Sequence, residues 1–299
     1  MNLRWTLSVS LAFALIMVSA VHARADLSPK QARSLITKAA GMSLPSGAVR
    51  VGRVEMAGAD AAEAAAEVDL VFRLARPESG WRISELRIGP DRWERFSIIA
   101  AALGVEVPAS RCDARDEFQK TNAELSVKRV RCLVAELLGV DLPSDDVRIK
   151  SFSSFAVPLA SEESVIVVTK VRLSVRFARR GKGWQVTELK SGNRTWTNIE
   201  NLPAAVATVK TARATEDMKV LAAALNEFRR ERGTFVVTDK HPALVDHLSP
   251  RYLSRVIRLD PWHNPYQYQG ERTSFTLRSA GPDGKLNTAD DVILNREMP

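Results

Sequence analysis

The apolar and polar positions of this chain are arranged in a pattern that is written twice. In the first copy Ala32, Leu35, Ile36 and Ala39 recur at the spacing of one helical face, which predicts a helix over residues 28–40. Ser28 suits the N-cap, Pro29 the first turn and Gly41 the terminator. A strand is expected over 49–56. Residues 68–74 alternate as a half-buried strand does, 77–80 carry turn chemistry, and 81–88 return as the hairpin partner. A last helix is expected over 91–103. The Ala-rich, acidic stretch 57–66 reads as a flexible hairpin loop.

The second copy repeats this order with Val130, Leu133, Val134 and Leu137 on its first helix. Leu27-Ser28 corresponds to Leu125-Ser126, and Leu44-Pro45-Ser46 to Leu142-Pro143-Ser144, at a constant offset of 98 residues. Downstream, Gly80-Trp81 matches Gly183-Trp184, Glu85-Leu86 matches Glu188-Leu189, and Trp93 matches Trp196, now at an offset of 103. Five extra residues near 156–163 account for the change. Its hairpin pairs 165–177 with 184–189. The expected product is two similar curved sheets, each with a helix packed on one face.

After about Pro203 the pattern changes. Met218, Leu221, Ala222, Leu225 and Phe228 form one face of a long helix over 210–232, ended by Gly233. Short strands over 266–269 and 274–278 follow, paired through Gly270-Glu271-Arg272.

The first 25 residues read as an export signal. Arg4 precedes an apolar run, and Ala23-Arg24-Ala25 supplies a small-residue cleavage pattern with Asp26 as the new N-terminus. An uncleaved anchor helix is the alternative. No other stretch is long and apolar enough to span a bilayer. The chain carries 43 Lys and Arg against 35 Asp and Glu, but the excess is scattered. A nucleic-acid partner would need a clustered basic stripe, so none is expected.

Export would place Cys112 and Cys132 where they can pair. The other reading makes Cys132 a small apolar helix residue. A zinc site finds no ligand pair at the usual spacing. The paired tryptophans invite a ligand-cage reading, but each of Trp81 and Trp184 opens a strand after a turn, where a large ring closes the end of a sheet. Glu85 and Glu188 are the carboxylates a hydrolase or sugar-binding reading would use. No second carboxylate is evident beside either, and no histidine lies between Asp26 and Val237. No catalytic residue is therefore expected.

The C-terminal blocks are more specific. Gly233-Thr234-Phe235, then Asp260-Pro261-Trp262-His263-Asn264-Pro265-Tyr266-Gln267-Tyr268, then Ser279 to Asp291 resemble, in that order, the globular head of the type II secretion system protein G family, the major pseudopilins. The resemblance covers under a third of the chain. It implies a long helix packed on a small antiparallel sheet, and a calcium ion in the loop after the last strands. Carried over by position, the side-chain ligands are Asp283, Asp290 and Asp291, assisted by the backbone carbonyl near Ala280. The residues themselves agree: Pro282-Asp283-Gly284 makes a tight turn, and Asp290-Asp291 adds two carboxylates to a set that repels itself without a cation. An EF-hand-like loop is the rival calcium reading. Its second half fits and keeps Asn287 as a candidate ligand; its first half fails, because Ser279 and Gly281 stand at the acidic positions.

The chain departs from the family in three ways. The apolar segment lies far upstream of the head, Val236 replaces the usual proline, and His263 replaces the usual glycine. The helix over 210–232 is too polar for a membrane or filament core. The fold class is therefore α+β: two tandem helix-plus-antiparallel-sheet repeats and a pseudopilin-like head. The expected units are a signal peptide at 1–25, a repeat at 26–106, a linker at 107–123, a second repeat at 124–206 and the head at 207–299. The expected function is a periplasmic or secreted, calcium-stabilised interaction protein with protein partners in the cell envelope, accessory to a secretion or pilus system. A pseudopilus subunit with an atypical leader, and a hydrolase or carbohydrate binder, are the alternatives.

Overall fold

In both copies the serine before the first helix caps it. Ser28 Oγ accepts from the Gln31 backbone N–H at 3.3 Å, and Gln31 Oε1 accepts from the Ser28 N–H at 3.0 Å. Ser126 Oγ accepts from the Arg129 N–H at 3.2 Å. The computed structural model describes residues 26–76, 80–105, 112, 125–153 and 163–297. The export signal, most of the linker, residues 77–79 of the first hairpin turn and nearly all of the extra segment of the second copy lie outside the described residues.

The first copy runs α1 (Pro29–Thr37), β1 (Val49–Met56), β2 (Ala61–Arg76), β3 (Arg82–Arg87), β4 (Trp93–Arg95) and α2 (Phe96–Ala102). The second runs α3 (Val127–Leu138), β5 (Val147–Ser153), β6 (Glu163–Arg180), β7 (Gly183–Ser191) and β8 (Thr197–Asn198). Then come α4 (Leu202–Arg232), α5 (His241–Leu248), β9 (Gln267–Gly270), β10 (Ser274–Ser279) and β11 (Val292–Glu297).

The two expected sheets are one. β2 pairs antiparallel with β6 along its whole length, giving an eight-stranded sheet of order β4-β3-β2-β6-β7-β8, with β1 beside β2 and β5 beside β6. The separate-sheet expectation fails because both long strands run on past the span their alternation marked. Residues 61–66 belong to β2 and are not a loop. Ala62, Ala64 and Ala66 alternate inward and are buried, while Glu63 and Glu67 face out. Alanine is depleted in strands; here its small side chain lets Ala32 and Ile36 of α1 approach the sheet, in one core with Val175 and Phe177.

Two cores lie on the helix-covered face, and each draws on both copies. Leu27, Ala32 and Ile36 pack with Val175 and Phe177 of β6, with Trp184 and Val186 of β7 at the margin. Val130, Leu133 and Val134 of α3 pack with Phe72, Leu74 and Trp81 of the first copy. Trp81 is thus a core ring, and Trp184 lines the other core. Cys112 and Cys132 are joined as a disulfide beside α3.

The helix expected over 91–103 is half strand: Trp93–Arg95 pairs with β3, and the helix starts only at Phe96. α4 starts eight residues before the expected 210, with Pro203 in its first turn. The boundary placed between 206 and 207 therefore falls inside α4, and the end of the second repeat and the long helix of the head are one element. At 1.5 Å per residue α4 is about 46 Å long.

In the head, Met218, Leu221, Ala222 and Leu225 of α4 pack on Phe235, Leu244, Tyr266, Tyr268, Phe275 and Leu277. Phe228 is partly buried and meets Tyr252 edge-on. The sheet here is β11-β10-β9, antiparallel throughout. The N-terminal part of α4 packs on α2 of the first copy. There Lys210 Nζ meets Glu94 Oε2 at 2.6 Å, and both side chains are less than one-tenth exposed.

Candidate metal centre

β10 and β11 are joined by residues 280–291, with Ser279 and Val292 facing each other at the mouth of the loop. The Asp260 block holds that mouth. Asp260 is 1% exposed and accepts from the N–H groups of Trp262 (2.9 Å) and Asn264 (2.8 Å) and from the Ser279 hydroxyl (2.6 Å). Ser279 Oγ in turn accepts from the Gly281 N–H at 3.2 Å. Gly281 has φ +62°, and a Cβ there would stand 2.2 Å from the Asp290 carbonyl oxygen. Only glycine lets the two ends of the loop approach so closely. Ala280, buried at 4%, sits between these contacts.

The three predicted aspartates converge on one hydroxyl, that of Thr288. Its Oγ lies 2.7 Å from Asp290 Oδ1, 3.4 Å from Asp283 Oδ1 and 3.4 Å from Asp291 Oδ1. The Lys285 carbonyl oxygen lies 3.0 Å from the same Oγ, and one hydroxyl has one proton to donate, so it satisfies one of the four acceptors at a time. The rest of the coordination is internal: Asp283 accepts from the Lys285 N–H (2.7 Å), Asp290 from the Asp283 N–H (3.0 Å) and Asp291 from the Asn287 N–H (2.9 Å). The Thr288 hydroxyl, followed by the Asp283 N–H, holds the Asp290 carboxyl below the usual carboxylate range.

Asn287 goes elsewhere. It adopts φ +66° and its side-chain oxygen accepts from Arg278. Arg278 also lies 3.5 Å from Asp291, whose side chain is 2% exposed. Sequence reasoning missed Thr288 and Arg278. Thr288 was detectable as a hydroxyl two residues before Asp290; Arg278 reads as an ordinary strand residue.

The loop fits a hard cation in kind: three carboxylates surround a point that holds one hydroxyl proton, and Arg278 pairs with only one of them. The three do not form a group in which every ligand oxygen lies within 4.8 Å of the others. The three residues that do meet that spacing among the described residues are Cys112, Cys132 and Glu136, and the disulfide consumes both thiolates.

The carboxylates of the hydrolase reading are committed to arginines. Glu85 pairs with Arg73, whose guanidinium lies 4.3 Å from the Trp93 ring centroid. Glu188 pairs with Arg176 at 3.1 Å, and Arg176 lies 3.8 Å from the Trp196 centroid. Each of the three members is displaced by 103 residues between copies. Arg176 also meets Glu63 at 3.3 Å, so the second acid near Glu188 is bridged to it by a guanidinium and not set across a cleft. One face of Trp93 and one face of Trp196 are thereby covered by a cation of the chain itself.

Residues 201–295 match the family model of type II secretion system protein G. The match begins at the N-terminus of α4 and ends within β11, and it bears out the resemblance carried by the Asp260–Tyr268 and Ser279–Asp291 blocks. No curated protein and no solved structure matches the chain. Among the described residues, no helix is long and apolar enough to cross a membrane.

Proposed function

We propose that this protein is an exported interaction protein of a type II secretion or related pilus apparatus, in which a pseudopilin-like head is fixed to a duplicated scaffold and braced by calcium. The observation that carries the reading is the placement of α4. Its N-terminal part packs on α2 and is pinned to the neighbouring β4 by the Lys210–Glu94 ion pair, while its C-terminal part is the core helix of the head. A helix held in this way is committed within its own chain. The head is then free to meet envelope partners through its loops and the outer side of α4, while self-assembly through that helix is blocked.

Calcium would be held by Asp283, Asp290 and Asp291, with the Thr288 hydroxyl at their centre and the carbonyl near Ala280 as a further oxygen. It would supply charge balance to the loop and no chemistry. The reading makes the protein a binder and not an enzyme, with the periplasm or the exterior as its compartment.

Isolation of the mature protein from its native envelope, with calcium present, tests this. Co-purification of secretion-apparatus components as a soluble complex is the expected result. Filaments of the protein alone, seen by electron microscopy, would favour the pseudopilus-subunit reading instead.

A further inference from the structure

The β2–β6 register carries a symmetry that the strand order alone does not. Val68 faces Val171, and 171 is 68 displaced by the 103-residue offset of the repeat. The pattern holds on both sides. Ala66 faces Leu173, the counterpart of Leu70, and Leu70 faces Thr169, the counterpart of Ala66. The two copies are therefore related by a two-fold axis that passes between Val68 and Val171.

If each copy were closed on itself, β2 would turn back at Val68 and α1 would lie on Phe72 and Leu74 of its own copy. Instead α1 lies on Val175 and Phe177, and Phe72 and Leu74 lie under α3. The sequence gives the closed form no hinge. Ala65-Ala66-Glu67-Val68-Asp69-Leu70-Val71 and Val168-Thr169-Lys170-Val171-Arg172-Leu173-Ser174 contain no glycine, proline or asparagine, and a β-branched valine stands at each point of reversal.

The charges on the outer face discriminate between strand pairings. Glu67 faces Arg172 and bonds it at 3.3 Å; Glu63 faces Arg176 and bonds it at 3.3 Å; Asp69 faces Lys170. Two β2 strands paired about Val68 would set Glu67 against Asp69 next to the axis, with Glu63 against Arg73 further out. Two β6 strands paired about Val171 would set Lys170 against Arg172. Like charges directly opposite each other destabilise a pair of strands, and opposite charges support it.

We infer that the two copies are a strand-exchanged pair held in one chain, and that the cross-strand charges select pairing of the first copy with the second over pairing of either copy with its like. Neither copy has a complete core of its own. The partner that the long edge of each copy fits is the other copy.

The test uses the full chain with Ala65→Cys and Ser174→Cys, which face each other in the register, with both native cysteines changed to serine and a protease site placed between 113 and 124. After oxidation, cleavage and denaturation, the two fragments are expected to run as one covalent species of single-chain mass. Unlinked fragments would overturn the pairing, and a link between two chains would overturn its assignment within one. The charge selection is tested in the otherwise unaltered chain. Asp69 also lies 3.5 Å from Arg50, and Lys170 lies 3.4 Å from Asp146, so the charges are exchanged together with these partners. E67K/D69K/R50E should lower the denaturation midpoint, and adding K170E/R172E/D146K should restore it. If the combined variant is no better than the first one, charge does not select the pairing.

Discussion

Lys210 on α4 and Glu94 on β4 form an ion pair at 2.6 Å, with side chains 9% and 5% exposed. It joins the helix of the head to the edge of the first copy, across more than a hundred residues of sequence. Removing one partner strands a buried charge, which costs about 3–5 kcal/mol. Lys210→Met and Glu94→Leu should each lower stability by that order in urea denaturation, while the double variant should recover most of the loss. A double variant that loses the sum of both would show that the two sites act independently.

Calcium should raise the melting temperature of metal-free protein, and Asp283→Ala should remove the rise. Acid should act through Asp290. Its carboxyl is depressed in the folded state by the Thr288 hydroxyl and the Asp283 N–H, so its contribution is present above the ordinary carboxylate pKa. That contribution is lost as pH falls through the lowered value. Asp290→Asn should flatten this part of the acid titration. A calcium shift that survives in Asp283→Ala would remove that residue from the ligand set.

His241 predicts a second pH dependence, in a milder range. The side chain is 6% exposed, its Nε2 has no hydrogen-bond partner among the described residues, and burial, followed by Arg258, pushes its pKa below the usual 6.5. The unfolded chain therefore binds more protons than the folded one just below pH 6.5, and stability should fall as pH falls through that window. His241→Phe, which keeps a ring against Tyr266, should abolish the slope in denaturant titrations between pH 5 and 7.

His263 stands in the left-handed region with φ +70° and is exposed. A side chain there costs roughly 1–2 kcal/mol, and glycine returns part of that gain as chain entropy. His263→Gly should stabilise the head by about 0.5–1 kcal/mol. An unchanged or lowered midpoint would mean that the imidazole makes a contact worth the strain.

The Cys112–Cys132 bridge closes a loop of sequence separation 20. Reduction, or replacement of both residues by serine, should cost about 3 kcal/mol if the bridge acts by constraining the unfolded chain. Comparing melts with and without reductant checks this.

How far the sequence could be read depended on which interactions were local. Ser28 with Gln31, and Met218 with Leu221 and Leu225, sit within a few residues of each other, and the cap and the buried helix face appeared where their spacing placed them. The Asp260 block and the three aspartates were legible as a motif, and the structure brings the three to Thr288. Ala62, Ala64 and Ala66 could not be recognised as strand, because what holds them there is Phe177 and Val175 across the sheet. The same limit hid the joining of the two half-sheets. Nothing near Val68 announces that its partner is Val171, more than a hundred residues away, until the register is known. The start of α4 was missed for a different reason. The apolar face that marks the helix begins at Met218, whereas its first turns are held by Pro203 and by packing on α2.

α4 contains no glycine and no proline after Pro203, so it lacks a joint between its two jobs. A partner that grips the head and another that grips the duplicated sheet would be kept at a set separation and a set angle, as by a gauge block. Inserting one residue in mid-helix would turn one end against the other by about 100°, since a helix makes a turn in 3.6 residues. Whatever the two ends engage would then be presented out of phase, even with every side chain of both surfaces intact.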